Sequence, residues 1–180
     1  MPSQGKSIGL VLRTREYGEK DRWVTLLTPD AGKQDFLAKG VRSLTSRRSG
    51  SLQTGSLVRC SWVGRGETRL LTEAVLEETL LPDSPSLSLL RDVSAIFEIV
   101  FHISLDSQEQ DELLDQTLQL LRYLKNNPTE YNRGQVRQAL LEMLYSQGIA
   151  TPDEVESKSA AEVFENVIGR SVKSFTFFST

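Results

Sequence analysis

Four cations lie within "AKGVRSLTSRRSG", residues 38–50: Lys39, Arg42, Arg47 and Arg48, with no carboxylate among them. The acid-free stretch is wider, reaching from Asp35 to Glu67 and adding Arg59 and Arg65. Cations strung along a segment without carboxylates are suited to meeting a polyanion. They neutralise phosphates one by one, and the release of condensed counterions drives the binding. The chain around this stretch is acidic, with a formal net charge of -3 and a pI near 5.3.

The charge is unevenly shared. Residues 1–75 carry a net +6 and residues 76–180 a net -9. An asymmetry of this size fits a nucleic-acid or other polyanion partner for the basic half, and equally fits two domains that simply differ in charge. Other chemistries find little support. A single cysteine, Cys60, and a single histidine, His102, allow neither an internal disulfide nor a Cys- or His-based zinc site. His102 sits between Phe101 and Ile103 and is expected to be a core histidine; Cys60 falls on the apolar side of a strand, where a thiol is inert. "GRGE" and "AGK" lack the spacing of a phosphate-binding P-loop. No enzyme activity and no cofactor are expected. The opening "MPSQGKSIGL" has no signal-peptide core, and no apolar run approaches the roughly twenty residues of a membrane span, so a reducing cytoplasm is expected.

Two rhythms organise the elements. Over residues 1–80 the period is two. "IGLVLRTREY" sets Ile8, Leu10 and Leu12 against Arg13 and Arg15, the pattern of a half-buried strand. "RWVTLLT", "KQDFLAKG", "GSLVRCSWVG" and "ETRLLTEAVLEET" supply four more strands, with "GEKD", "PDAG" and the basic stretch as connections. Val58, Cys60 and Trp62 share the core side of the fourth strand. Five short strands joined by tight turns fit a small barrel. Over residues 81–180 the period lengthens to three or four: Leu89, Val93, Ile96, Phe97, Val100 and Phe101, then Leu114, Leu118, Leu121 and Leu124, then Val136, Leu140, Met143 and Leu144. Gly148 fits a C-cap, and "SAAEVFENVIG" reads as a last helix between Ser159 and Gly169, with Glu162 completing a capping box. Strands first and helices after make an α+β chain.

"GLVLRTREYGEKDRWVTLLTPDAGKQDFLAKGVR" followed by "LTEA" resembles the opening domain of the RecO family of bacterial recombination mediators. "YGEKDR", "TLLTPDAGK" and "AKGVR" fall in that family's order and spacing over about residues 6–75, and "VIGRSVKSF" is similar to a segment that closes many RecO chains. The resemblance implies a five-stranded OB-fold barrel, residues 1–80, followed by a small helical domain, residues 81–180. Where many members carry a four-cysteine zinc module, "YSQGIATPDEVESKSAAEVF" runs directly from the third helix to the last. The helical domain is therefore expected to be a reduced form.

The resemblance also implies a function: binding single- and double-stranded DNA, annealing strands, and helping RecR load RecA onto gaps coated by the single-strand-binding protein SSB, at the bacterial nucleoid. On that reading Lys39, Arg42, Arg47 and Arg48 form a cationic loop. Arg13, Arg15 and Arg22 extend the track along the sheet, and Arg65 and Arg69 stand at the last turn. "YGEKDR" reads as a surface mesh of charges, as a support for Arg22, or as a contact for RecR. Base stacking is expected to be minor, with Trp62 in the core, Trp23 ambiguous and Tyr17 packing a turn. A groove between helices would receive the acidic SSB tail beside Arg122, Arg133 and Arg137, unless these pair with Glu130 or Glu142. Two rival readings are an adaptor whose basic loop docks an acidic protein, and an OB protein that prefers RNA.

Overall fold

The computed structural model describes residues 4–41, 50–65, 68–158, 162–163 and 165–166. Five strands come first: β1 (Gln4–Tyr17), β2 (Asp21–Thr28), β3 (Gly32–Ala38), β4 (Ser56–Arg65) and β5 (Thr68–Thr79). Among the described residues, helices α1 (Leu87–Ile103), α2 (Asp111–Asn126), α3 (Arg133–Ser146) and α4 (Pro152–Ser157) follow. The chain divides into two compact units, residues 1–81 with 104–114, and residues 82–103 with 115–180.

The strands close into a barrel in the order β1-β2-β3-β5-β4. Every pairing is antiparallel except β3 with β5. Closure depends on the 14-residue β1, which pairs with β4 through Gln4–Leu10 and with β2 through Leu10–Tyr17. Five strands in this order, with a long bent first strand shared between both ends of the sheet, are the OB fold. The interior holds Val11, Val24, Leu26, Phe36, Val58, Cys60 and Leu71, with Trp62 packed against them. Burial pushes the Cys60 thiol pKa up, so the thiolate that would make it reactive is disfavoured.

The two-residue rhythm of β1 assigns its inward face wrongly. Gly9 and Val11 pair with Val58 and Leu26, which point into the core, while Ile8 is 37% exposed. The register then slips between Val11 and Arg13. A bulge of this kind bends the strand and shifts which residues face inward beyond it. Val11 and Leu12, at the slip, are buried in succession, and Leu10 before it is buried as well.

The β2–β3 turn has a partner distant in sequence. Residues 104–110 lie along it: Lys33 N donates to Leu105 O at 2.9 Å, and Gln110 N donates to Pro29 O at 2.7 Å. Gln110 Oε1 accepts from Leu105 N at 2.9 Å, and Lys33 Nζ stands 3.8 Å from Asp106. Gly32 makes this approach possible, with φ of +59° and two carbonyl oxygens where a side chain would begin.

In the helical unit the leucines of α2 and α3 are buried as their spacing predicts. Gly148 takes φ of +70° just past α3, as a C-terminal glycine does. His102 is exposed, correcting its reading as a core histidine. Its ring meets Phe101 edge-on at 5.5 Å at the end of α1, where the buried stripe has turned away. The short α4 has no counterpart in the leucine pattern. Its signal is "TPDE": Thr151 caps the helix, Pro152 opens it, and Glu154 closes a capping box. Most of the expected last helix lies outside the described residues, although 162–163 and 165–166 are helical.

Candidate nucleic-acid interface

Register and alternation place the cations on different faces. On the outside of β1, β2 and β3, Arg15 lies opposite Trp23, which lies opposite Leu37. One step along, Arg13 faces Thr25, which faces Asp35; at the hairpin end Tyr17 faces Asp21. Arg13, Arg15 and Tyr17 are exposed, and Trp23 is half-buried. Tyr17 and Trp23 meet edge to face, with ring centroids 6.0 Å apart and planes at 70°. The carboxylates here are engaged: Asp35 accepts from Thr25 Oγ1, and Asp21 accepts from Gly40 N at 2.8 Å. The row thus presents two arginines beside an aromatic pair.

Arg22 has the opposite parity. It pairs with the core residue Ala38, and its Nη1 donates to Leu52 O at 3.1 Å. Together Asp21 and Arg22 tie down residue 40 and residue 52, the two flanks of the basic stretch. Lys39 is exposed on the first flank. Arg42, Arg47 and Arg48 lie outside the described residues, as does the Arg65 side chain.

Two further cations of the barrel are engaged by neighbours. Arg59 pairs with Glu77 at 3.0 Å, which cancels one of the six charges of the acid-free stretch. Strand pairing brings that acid in from β5, so a window counted along the chain misses it. Arg69 lies over the Trp62 ring, 5.8 Å from its centroid, and keeps its charge in a cation–π contact. Gly5 makes room for Trp62, because a Cβ there would come within 2.6 Å of the indole.

In the helical unit a groove of about 230 Å³ runs between α2 and α3. Leu120, Tyr123, Ala139 and Met143 supply its apolar floor, with Gln116, Gln119, Gln135 and Glu142 around it. Among the described residues, no lysine or arginine lines it. Arg133 pairs through Nε with Asp92 at 3.1 Å, whereas the sequence alone offers Glu130 or Glu142 as partners for the three arginines. Arg137 donates weakly to Lys158 O at 3.4 Å, and Arg122 is exposed on α2. Sequence reasoning also missed Asp92, a carboxylate fully buried within the apolar stripe of α1. Its Oδ2 accepts from the Tyr131 hydroxyl and from Arg133.

The barrel resembles a known family. Residues 1–79 match the family model described as recombination protein O N terminal. The DNA repair protein RecO of Syntrophobacter fumaroxidans is 30% identical over 123 residues, covering 68% of this chain and 49% of the relative. That of Chloroherpeton thalassium is 34% identical over 131 residues, with the same two coverages. A short segment of 38 residues reaches 63% identity with the RecO of Heliobacterium modesticaldum, covering 21% of this chain and 14% of the relative. The chain thus spans at most about half the length of these relatives. With its OB barrel matched from end to end and longer relatives aligned beyond it, the chain belongs to the RecO family.

Proposed function

We propose that this chain is a DNA repair and recombination mediator that acts by binding rather than by bond chemistry. Its barrel binds single- and double-stranded DNA through Arg13, Arg15, Lys39, Arg42, Arg47 and Arg48, with Arg65 and Arg69 at the edge of the track. Arg22 serves the same surface indirectly, by holding Leu52 at the flank of the basic stretch. The observation that carries this reading is the exposed row of Arg13 and Arg15 beside an acid-free segment on an OB barrel. OB folds bind oligonucleotides on the face of strands two and three and the adjoining loops. Annealing of strands, and loading of RecA with RecR on SSB-coated gaps at the nucleoid, complete the proposal. The acidic SSB tail would meet the helical unit near Arg122, Arg133 and Arg137.

The test is fluorescence anisotropy of a labelled single-stranded oligonucleotide over a salt series. Micromolar or tighter binding is expected, weakening steeply as salt rises. A variant with Arg42→Glu, Arg47→Glu and Arg48→Glu should lose roughly a hundredfold in affinity and show a flatter salt slope. Equal binding by the variant would remove the basic stretch from the interface. Absence of wild-type binding at low salt would favour the adaptor reading.

A further inference from the structure

We propose that Tyr17 and Trp23 form a stacking platform for an unpaired base of single-stranded DNA. The inference rests on the DNA-binding reading above and adds a base contact to what is otherwise a backbone contact.

Three observations meet at this point. Tyr17 is 54% exposed, although a tyrosine that only packed a turn would bury its ring. Its ring is nonetheless held, edge to face, by Trp23, and Trp23 is supported by strand pairing with the buried Leu37. A ring fixed before binding loses little freedom when a base stacks on it. Arg15 lies directly across from Trp23, and Arg13 follows on the same outer face of β1. Cations in line with an aromatic step are what a single strand needs, since its phosphates and bases can be met side by side. Asp21, which faces Tyr17 across the hairpin, is held by Gly40 N through Oδ1 at 2.8 Å. A duplex keeps its bases stacked on one another and offers no face to this pair.

The experiment compares two labelled strands of equal length, oligo-dT and an abasic strand with the same number of phosphates. The proteins are the full chain, Tyr17→Ala and Trp23→Leu, each with its unfolding midpoint recorded. The wild type should bind oligo-dT more tightly than the abasic strand. Tyr17→Ala should lose roughly tenfold for oligo-dT, lose nothing for the abasic strand, and leave the salt slope unchanged. Trp23→Leu should follow the same pattern if its midpoint is kept; if it is not, Tyr17→Ala decides the matter, because it alters an exposed ring. If wild type binds both strands equally, or Tyr17→Ala weakens both alike, stacking is wrong while the phosphate reading stands. If wild type binds neither strand, the parent reading falls as well.

Discussion

Gly32→Ala should destabilise the barrel unit by about 3–4 kcal/mol, while Gly18→Ala should cost only about 1–2 kcal/mol. Both glycines have φ of +59°, so the backbone strain of adding a methyl group is the same at each. Their surroundings differ. Nothing lies within 4 Å of a Cβ at Gly18, whereas at Gly32 it would collide with Leu105 O and stand 2.7 Å from Gln108 O. Both oxygens belong to backbone, which cannot swing aside as a side chain can. Relief requires residues 104–110 to lift away, giving up the Lys33–Leu105 and Gln110–Pro29 hydrogen bonds. Each is worth about 1 kcal/mol net, and the strain adds about 1–2 kcal/mol. Urea unfolding of the two variants checks this. Similar costs at both sites would mean that residues 104–110 contribute nothing to holding the hairpin.

The second large effect belongs to Asp92. Its carboxylate is fully buried, and its partners are the Tyr131 hydroxyl and the Arg133 guanidinium, whose side chain is 47% exposed. Tyr131→Phe should cost about 2 kcal/mol, as the loss of a hydrogen bond to a charged group does. Arg133→Met should cost less, about 1 kcal/mol, because solvent already screens its half-exposed charge. The double variant should cost about 4–5 kcal/mol, more than the two singles together, since the carboxylate then has neither donor. Additive single costs would contradict a shared network.

The same cluster gives a pH dependence. Burial first, and then the bond to Asp92, push the Tyr131 hydroxyl pKa above its ordinary value of 10.0. A group that holds its proton more tightly when folded stabilises fully below its unfolded pKa, and the gain disappears as pH rises through the folded one. The urea midpoint of the wild type should therefore fall as pH rises beyond about 10, by an increment that Tyr131→Phe lacks. Equal falls in both proteins would separate Tyr131 from alkaline unfolding.

Much of the architecture was legible because it rests on local periodicity. Strands β2 to β5 and helices α1 to α3 follow from runs of two or of three to four residues, and Gly32 and Gly148 mark turns that need positive φ. What escaped depends on neighbours far along the chain. The inward face of β1 is set by pairing with β4 and by a bulge, neither of which alternation can reveal. Arg59 counts among the cations of the acid-free stretch, but β5 brings Glu77 against it. Asp92 had a readable signal, an acid at a core position of an apolar helix, but its partners lie about forty residues away. "YGEKDR" leaves open a mesh of surface charges, a support for Arg22 or a contact for RecR, and two of its members hold the flanks of the basic stretch. The Tyr17–Trp23 pair could have been found by extending the outer face of β1 and β2 across their shared turn.

DNA binding by the outer face of the barrel is tested most directly by an amide chemical-shift map of the isotope-labelled chain, titrated with an oligo-dT strand at low salt. The largest shifts should fall on Arg13–Trp23, Leu37–Lys39 and the basic stretch through residue 50, and fade together as salt is added. Shifts centred instead on the outer face around Arg59, Glu73 and Val75, or on the groove between α2 and α3, would contradict it.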